Sequence, residues 1–279
     1  MKKYYLLLSL FLLLKITCAQ NQDTIKILAI GNSFSEDALE YYLYDIAKAD
    51  GKILVIGNMY IAGAHLTFHV NHIKENKKAY DYRKVHANGV KKNYNYKSID
   101  YALNDEKWDY ISLQQVSSLS GKYDTIMKSL PFVIDYVKKN KPNKTKLIYH
   151  QTWAYQQNIN HRGYVHYDND QFKMYNGIMD ATKKINKIKD IDFIIPAGTA
   201  IQNARTSSQG DTYTRDGYHL EKTYGRFTAA CVWYEKIFGK DVRKNNFKPN
   251  EITDKQEKIA KIAAHKAVKK PYRISKINL

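Results

Sequence analysis

The stretch TIKILAIGNSFSEDALEYYLYDIAKADGKILVI, residues 24–56, decides the fold. Thr24 to Ile30 is apolar and largely β-branched, which predicts a strand, and it breaks at Gly31-Asn32. Glu36 to Asp50 then places Ala38, Leu39, Tyr42, Leu43, Ile46 and Ala47 at helical spacing, and Gly51 stops the pattern. Lys52 to Ile56 reads as a second strand. Strand, helix, strand at this spacing is a βαβ unit, which implies parallel pairing through a right-handed crossover.

The alternation continues along the chain. His65 to Asn76 is predicted helical. Ala79–Val85 and Val90–Tyr96 flank Asn88-Gly89, a strong hairpin signal, and read as a decoration on the sheet. Ile99–Asn104 is a helix, Asp109–Leu113 a strand, Pro131–Asn140 a helix and Lys146–His150 a strand. Phe172–Ile188 is a helix and Ile191–Ile195 the last strand, followed by helices over Lys222–Phe238 and Glu251–Lys269. The expectation is one three-layer α/β/α domain, flavodoxin-like, with a mainly parallel sheet of about five strands and a hairpin insertion. In such sheets ligands bind beyond the carboxyl ends of the strands, so the residues after each strand are the ones to inspect.

The first 19 residues are set aside. Lys2 and Lys3 precede the apolar run Tyr4–Leu14, and Thr17-Cys18-Ala19 supplies small residues at the positions a signal peptidase reads. The run is too short to span a bilayer. The expectation is a signal peptide over 1–19, cleaved before Gln20, leaving an exported domain over 20–279, periplasmic or extracellular, with no stable membrane insertion. A lipoprotein acylated at Cys18 is the second possibility; Lys15 and Thr17 suit it poorly. Without Cys18 the chain keeps Cys231 alone, in an apolar helical stretch, so no disulfide framework is available and Cys231 is read as a buried thiol.

The chain carries 45 basic and 27 acidic residues, a formal charge of +18. Such a field draws anionic partners. The lysines are scattered and form no block of five like charges, which favours a solvated surface, and no nucleic-acid motif accompanies them, so nucleic acid is not an expected partner.

Four strand ends carry polar residues suited to chemistry. Ser33 follows the first strand and opens a helix; with Glu36 three residues on, it also fits a helix N-cap. Gly63 is either a turn residue or a backbone donor to an oxyanion. Gln114 and Gln115 end an apolar strand, and strand alternation sends them to opposite faces, so at most one aims at a reacting centre. Asp216 lies three residues before His219, close enough in a turn to reach Nδ1 and leave Nε2 to take a proton from a serine hydroxyl. His65, His69 and His72 share one helix face, but the carboxylate of a His-Glu-x-x-His metal motif is missing, so no metal is expected and His69 is placed near the substrate. Trp153 and Tyr155 follow a strand and offer faces suited to sugar rings, although such residues are also ordinary core material.

The order and spacing of these pieces resemble the SGNH (GDSL-like) hydrolase superfamily. The resemblance rests on Gly31-Asn32-Ser33-Phe34-Ser35, on Gly63 within Ile61–Ala64, and on Asp216-Gly217-Tyr218-His219 near the C-terminus. Leu113-Gln114-Gln115, His150–Tyr155, Ile195–Gly198 and Ala204-Arg205 look like an uncharacterised bacterial branch related to carbohydrate acetylesterases. The resemblance implies a Ser33–His219–Asp216 triad, an oxyanion hole from the Ser33 and Gly63 amides, Asn32 at the substrate, and no cofactor. The usual Gly-x-Asn-Asp block is absent; Gln115 or Gln114 would stand in for its Asn. The implied function is removal of small acyl groups, acetyl foremost, from carbohydrate. A non-catalytic glycan-binding protein and a lipid or thioester hydrolase are the alternatives.

Overall fold

The computed structural model describes residues 24–142 and 144–279; the expected signal peptide and Cys18 lie outside the described residues. Seven strands form one sheet: β1 (Thr24–Gly31), β2 (Ile53–Tyr60), β3 (Tyr80–Val85), β4 (Lys91–Lys97), β5 (Tyr110–Leu113), β6 (Lys146–His150) and β7 (Phe193–Ile195). Their order is β4-β3-β2-β1-β5-β6-β7. β1, β2, β5, β6 and β7 run parallel, and the β3–β4 hairpin pairs antiparallel with β2. The fold is therefore the expected flavodoxin-like α/β domain, and the hairpin extends the sheet rather than sitting apart from it. The outer strand β4 presents Lys91, Lys92 and Lys97 to solvent or near it, a composition that discourages pairing with another chain.

Successive residues of β1 serve two cores. Ile27 and Ala29 join one buried cluster and Leu28 and Ile30 the other, each nearly inaccessible to solvent. That alternation, with apolar residues on both sides, is what a strand covered on both faces requires. Helices α1 (Ser33–Leu39), α2 (Leu43–Ala49), α8 (Ala197–Arg205), α9 (Tyr224–Phe238) and α10 (Asp254–Lys269) cover the first face. Helices α3 (Leu66–Lys74), α4 (Ile99–Asp105) and α6 (Leu130–Asn140) cover the second. The short α5 (Tyr123–Met127) precedes α6, and α7 (Gln171–Ile185) contributes to both clusters. Cys231 is fully buried on α9, and burial pushes its thiol pKa up. Among the described residues no helix is long and apolar enough to cross a membrane.

The helix expected over Glu36–Asp50 is two helices. Tertiary contacts hold the intervening residues: Glu40 accepts from Asn58 Nδ2 at 2.6 Å, the Arg226 guanidinium lies 3.5 Å over the Tyr41 ring, and Tyr42 meets Phe227 edge-on. β2 runs on to Tyr60, through Gly57 and Asn58, where the sequence suggested a stop. After α10 the tail is fastened along α8: Ser275 N donates to Asn203 Oδ1 at 2.6 Å and Ile277 N to Thr206 Oγ1 at 2.9 Å.

β1 sits between β2 and β5, so the chain leaves it in one direction and returns to its other side. This switch point opens a crevice beyond the carboxyl ends of β1 and β5. Ser33 lies at its lip.

Candidate active site

Asn32, not Ser33, caps α1. Its side chain accepts from Phe34 N, and its own amide donates to Ser35 Oγ, closing a capping box through Ser35 rather than Glu36. Gly31 has no room for a side chain, since a Cβ there would stand 2.5 Å from Ser35 Oγ and 3.0 Å from Gln114. Ser33 thus becomes the first helical residue, its hydroxyl not used as a cap and its N–H without an intrahelical acceptor.

The hydroxyl points to the far end of the chain. Ser33 Oγ is 2.8 Å from His219 Nε2, and His219 Nδ1 is 2.6 Å from Asp216 Oδ2. Asp216 Oδ1 also accepts the amides of Tyr218 (3.2 Å) and His219 (2.8 Å). Burial raises the Asp216 pKa, but the ring and amide hydrogen bonds outweigh it and hold the carboxyl below its ordinary value. Beneath the turn, fully buried Asp37 of α1 accepts from Arg215 through both oxygens, from Arg226, and from Leu220 N. Burial pushes the Asp37 pKa up while the two guanidinium groups oppose the shift.

A cleft of about 530 Å³ opens beside this relay, lined by Ser33, Gly63, His65, Tyr155, His161, Arg162 and His219 among others. Gly63 holds φ +65°, a left-handed conformation that favours glycine, and its Cβ direction is open. Tyr155 is buried at the cleft wall, its hydroxyl 2.8 Å from Ser117 Oγ, and burial pushes its pKa up to about 12.

Several expected site residues do structural work instead. Asn32 borders the cleft, as expected, but is only 1 % exposed; its Nδ2 donates to Ala64 O and its Oδ1 accepts from Gln114 Nε2, so the carboxamide is held by the protein. Gln114 is spent between Asn32 and His150, stitching the ends of β1, β5 and β6, and is corrected from oxyanion donor to structural residue. Gln115 Oε1 accepts from Leu66 N and Val116 N, while its Nε2 meets no acceptor among the described residues. Neither glutamine lines the cleft. Trp153 is fully buried, stacked on Phe34 at 4.3 Å with Nε1 donating to Tyr218 O, so it braces the histidine turn and does not face substrate. His69 lies under the hairpin with Nδ1 2.8 Å from Tyr80 Oη, and burial pushes its pKa down to about 3. His65 caps α3 and lines the cleft; His72 packs on Phe68.

A family model, "Domain of unknown function (DUF4886)", matches residues 26–267. The chain belongs to the DUF4886 family. A DUF4886 protein from Bacteroides uniformis ATCC 8492, known from its crystal structure, shares 49 % identity over 91 % of this chain and 98 % of its own, with a TM-score of 0.90. Two more distant solved structures are a GDSL-like lipase from Bacteroides thetaiotaomicron VPI-5482 (14 % identity, 78 % and 88 % of the two chains, TM-score 0.43) and Axe2, an acetylxylan esterase from Geobacillus stearothermophilus (12 %, 80 % and 95 %, TM-score 0.46). No curated protein matches the chain.

The cleft of this DUF4886 protein also holds residues that sequence reasoning passed over: Tyr60, Ser117, Ser118, His161, Arg162 and His166. Tyr60 ends β2 and Ser117 follows β5, so their strand-end position was the available signal. The His161–His166 segment lies some way past β6, and only the fold brings it back.

Proposed function

We propose that this DUF4886 protein is an exported serine esterase that removes small acyl groups, acetyl foremost, from carbohydrate. The observation that carries the reading is the continuous relay Ser33 Oγ, His219 Nε2, His219 Nδ1, Asp216 Oδ2, with spacings of 2.8 and 2.6 Å, opening on a cleft. A serine hydroxyl is a weak nucleophile until a base takes its proton, and the base needs a partner that fixes its tautomer. Ser33 attacks the ester carbonyl as its proton passes to His219, and Asp216 stabilises the imidazolium. The Ser33 and Gly63 amides receive the oxyanion; Gln115 Nε2, unpaired among the described residues but set behind the cleft lining, is the side-chain candidate to be tested, and each such donor is worth roughly 3 kcal/mol. The alkoxide leaves with the proton from His219. Water, deprotonated by His219, then releases the acid from Ser33.

The test is hydrolysis of p-nitrophenyl acetate, butyrate and octanoate by the purified protein, with Ser33→Ala alongside. Acetate-selective turnover that drops by about a thousandfold in the variant is expected. Turnover retained in Ser33→Ala would sink the nucleophile. Failure of the wild type to react with a fluorophosphonate probe, or with any ester, would turn the assignment to a glycan-binding protein.

A further inference from the structure

The charges around the cleft are unevenly compensated. Arg83 pairs with Glu36 and Glu40, Arg205 with Asp211, and Arg215 and Arg226 with Asp37. Arg162 is exposed on the cleft wall and forms no ion pair or hydrogen bond among the described residues. Around it stand His65, His161 and His166, and no aspartate or glutamate is among the lining residues. The nearest carboxylate in the relay, Asp216, is already engaged by the His219 ring and two amides.

The segment carrying Arg162 is seated against the reacting residues. The His161 ring lies 4.8 Å from that of Tyr155 and 5.0 Å from that of Tyr218, and Tyr218 lies 4.1 Å from the His219 ring. Gly163 N donates to His161 Nδ1 at 3.0 Å, and a Cβ on Gly163 would stand 2.4 Å from Ser118 Cβ, so the turn packs tightly on the segment after β5. The guanidinium thus projects from a fixed turn, close enough to help lower the pKa of the half-buried His161 ring, where burial is the larger cause. An uncompensated guanidinium on a packed support, in a cleft lacking acidic side chains, suits a planar anion.

We propose that the substrate is an acylated sugar carrying an anionic group, a carboxylate or a sulfate, which Arg162 receives while the ester lies at Ser33. The inference rests on the esterase reading and narrows it to acidic glycans. The chain's net charge of +18 supplies a long-range field of the same sign.

The experiment compares kcat/KM for O-acetylated oligogalacturonides, O-acetylated sulfated galacto-oligosaccharides and O-acetylated xylo-oligosaccharides, in wild type and Arg162→Gln. A parallel arm measures binding of the same oligosaccharides to Ser33→Ala by calorimetry. Wild type is expected to favour at least one acidic substrate over the neutral one by about tenfold or more, and Arg162→Gln to shrink that ratio toward one. Which acidic substrate is favoured distinguishes carboxylate from sulfate. Turnover without acidic preference overturns the inference and leaves the esterase standing. Preferential binding of acidic sugars through Arg162, with no turnover of any ester, keeps the anion site and overturns the esterase. Neither turnover nor preferential binding overturns both.

Discussion

Arg215 Nη1 donates to both carboxylate oxygens of Asp37 at 3.0 Å, fastening the residue before the Asp216–His219 turn to the helix that begins with Ser33. The two halves of the proposed relay therefore share one buried anchor. Asp37→Asn removes the charge that Arg215 and the nearly buried Arg226 both use. It is expected to destabilise the protein by about 3 kcal/mol, because breaking a buried pair strands its partner. It should also lower kcat more than it raises KM, as the histidine turn loses its seat. Urea unfolding and steady-state kinetics on the variant check both; wild-type stability would show that the anchor is dispensable.

Asp216 fixes the ring of His219 rather than accepting its proton. Asp216→Asn should reduce kcat on the order of a thousandfold or more with KM little changed. Because hydrogen bonds depress the Asp216 pKa, its contribution to stability is present above the ordinary carboxylate value and is lost as pH falls through the lowered one. The acid limb of the wild-type kcat profile should therefore lie above the titration of Asp216. A kcat profile unaltered in Asp216→Asn would count against the relay.

The two adjacent glutamines should separate cleanly. Gln114→Ala takes one of the partners of Asn32 Oδ1 and strips His150 Nδ1 of its hydrogen bond in a buried network, and a stability loss of roughly 2 kcal/mol is expected. Gln115→Glu keeps the acceptor for Leu66 and Val116 but removes the Nε2 donor. If Nε2 reaches the oxyanion, kcat at pH 8 should fall about a hundredfold. An unchanged kcat would leave the two backbone amides to do the task alone.

Acid should weaken the fold early. His69 and His150 are fully buried, and burial pushes each pKa from 6.5 down to about 3. In the unfolded chain both take up protons near the ordinary value, so stability is retained above it and declines as pH drops toward the folded value. The slope is up to about 1.4 kcal/mol per pH unit for each ring. Urea unfolding at pH 7, 6, 5 and 4 reads the slope. A slope unchanged in His150→Gln between pH 6 and 4 would mean that His150 is protonated within the fold.

Much of the fold was legible because β1, β5 and β6 are short apolar runs between amphipathic helices, and their parallel pairing follows from the crossover rule. Ser33, Asp216 and His219 stood out by residue type and by place relative to strand ends. Other features had no such signal. α8 carries Thr199, Gln202 and Asn203 at helical spacing, yet its whole length is buried and these polar side chains bond within the protein, so its polar residues do not mark a solvent face. Gly57-Asn58 looks like a strand stop until Ser35 and Glu40 are seen to satisfy the asparagine. Trp153 has the composition of a sugar platform, and only packing on Phe34 shows that its face is taken. Arg162 is one arginine among several until the fold places it, unpaired among the described residues, on the cleft wall.

Ser33 and His219 lie 186 positions apart, and the tail beyond α10 fastens to α8 only when the last residues are in place. A chain emerging from a ribosome or a translocation channel brings out its hydroxyl long before its base. Contacts between such distant segments form late, since the intervening loop must first be closed. The proposed relay is thus withheld from any partly emerged chain, and its completion coincides with the packing of the whole domain.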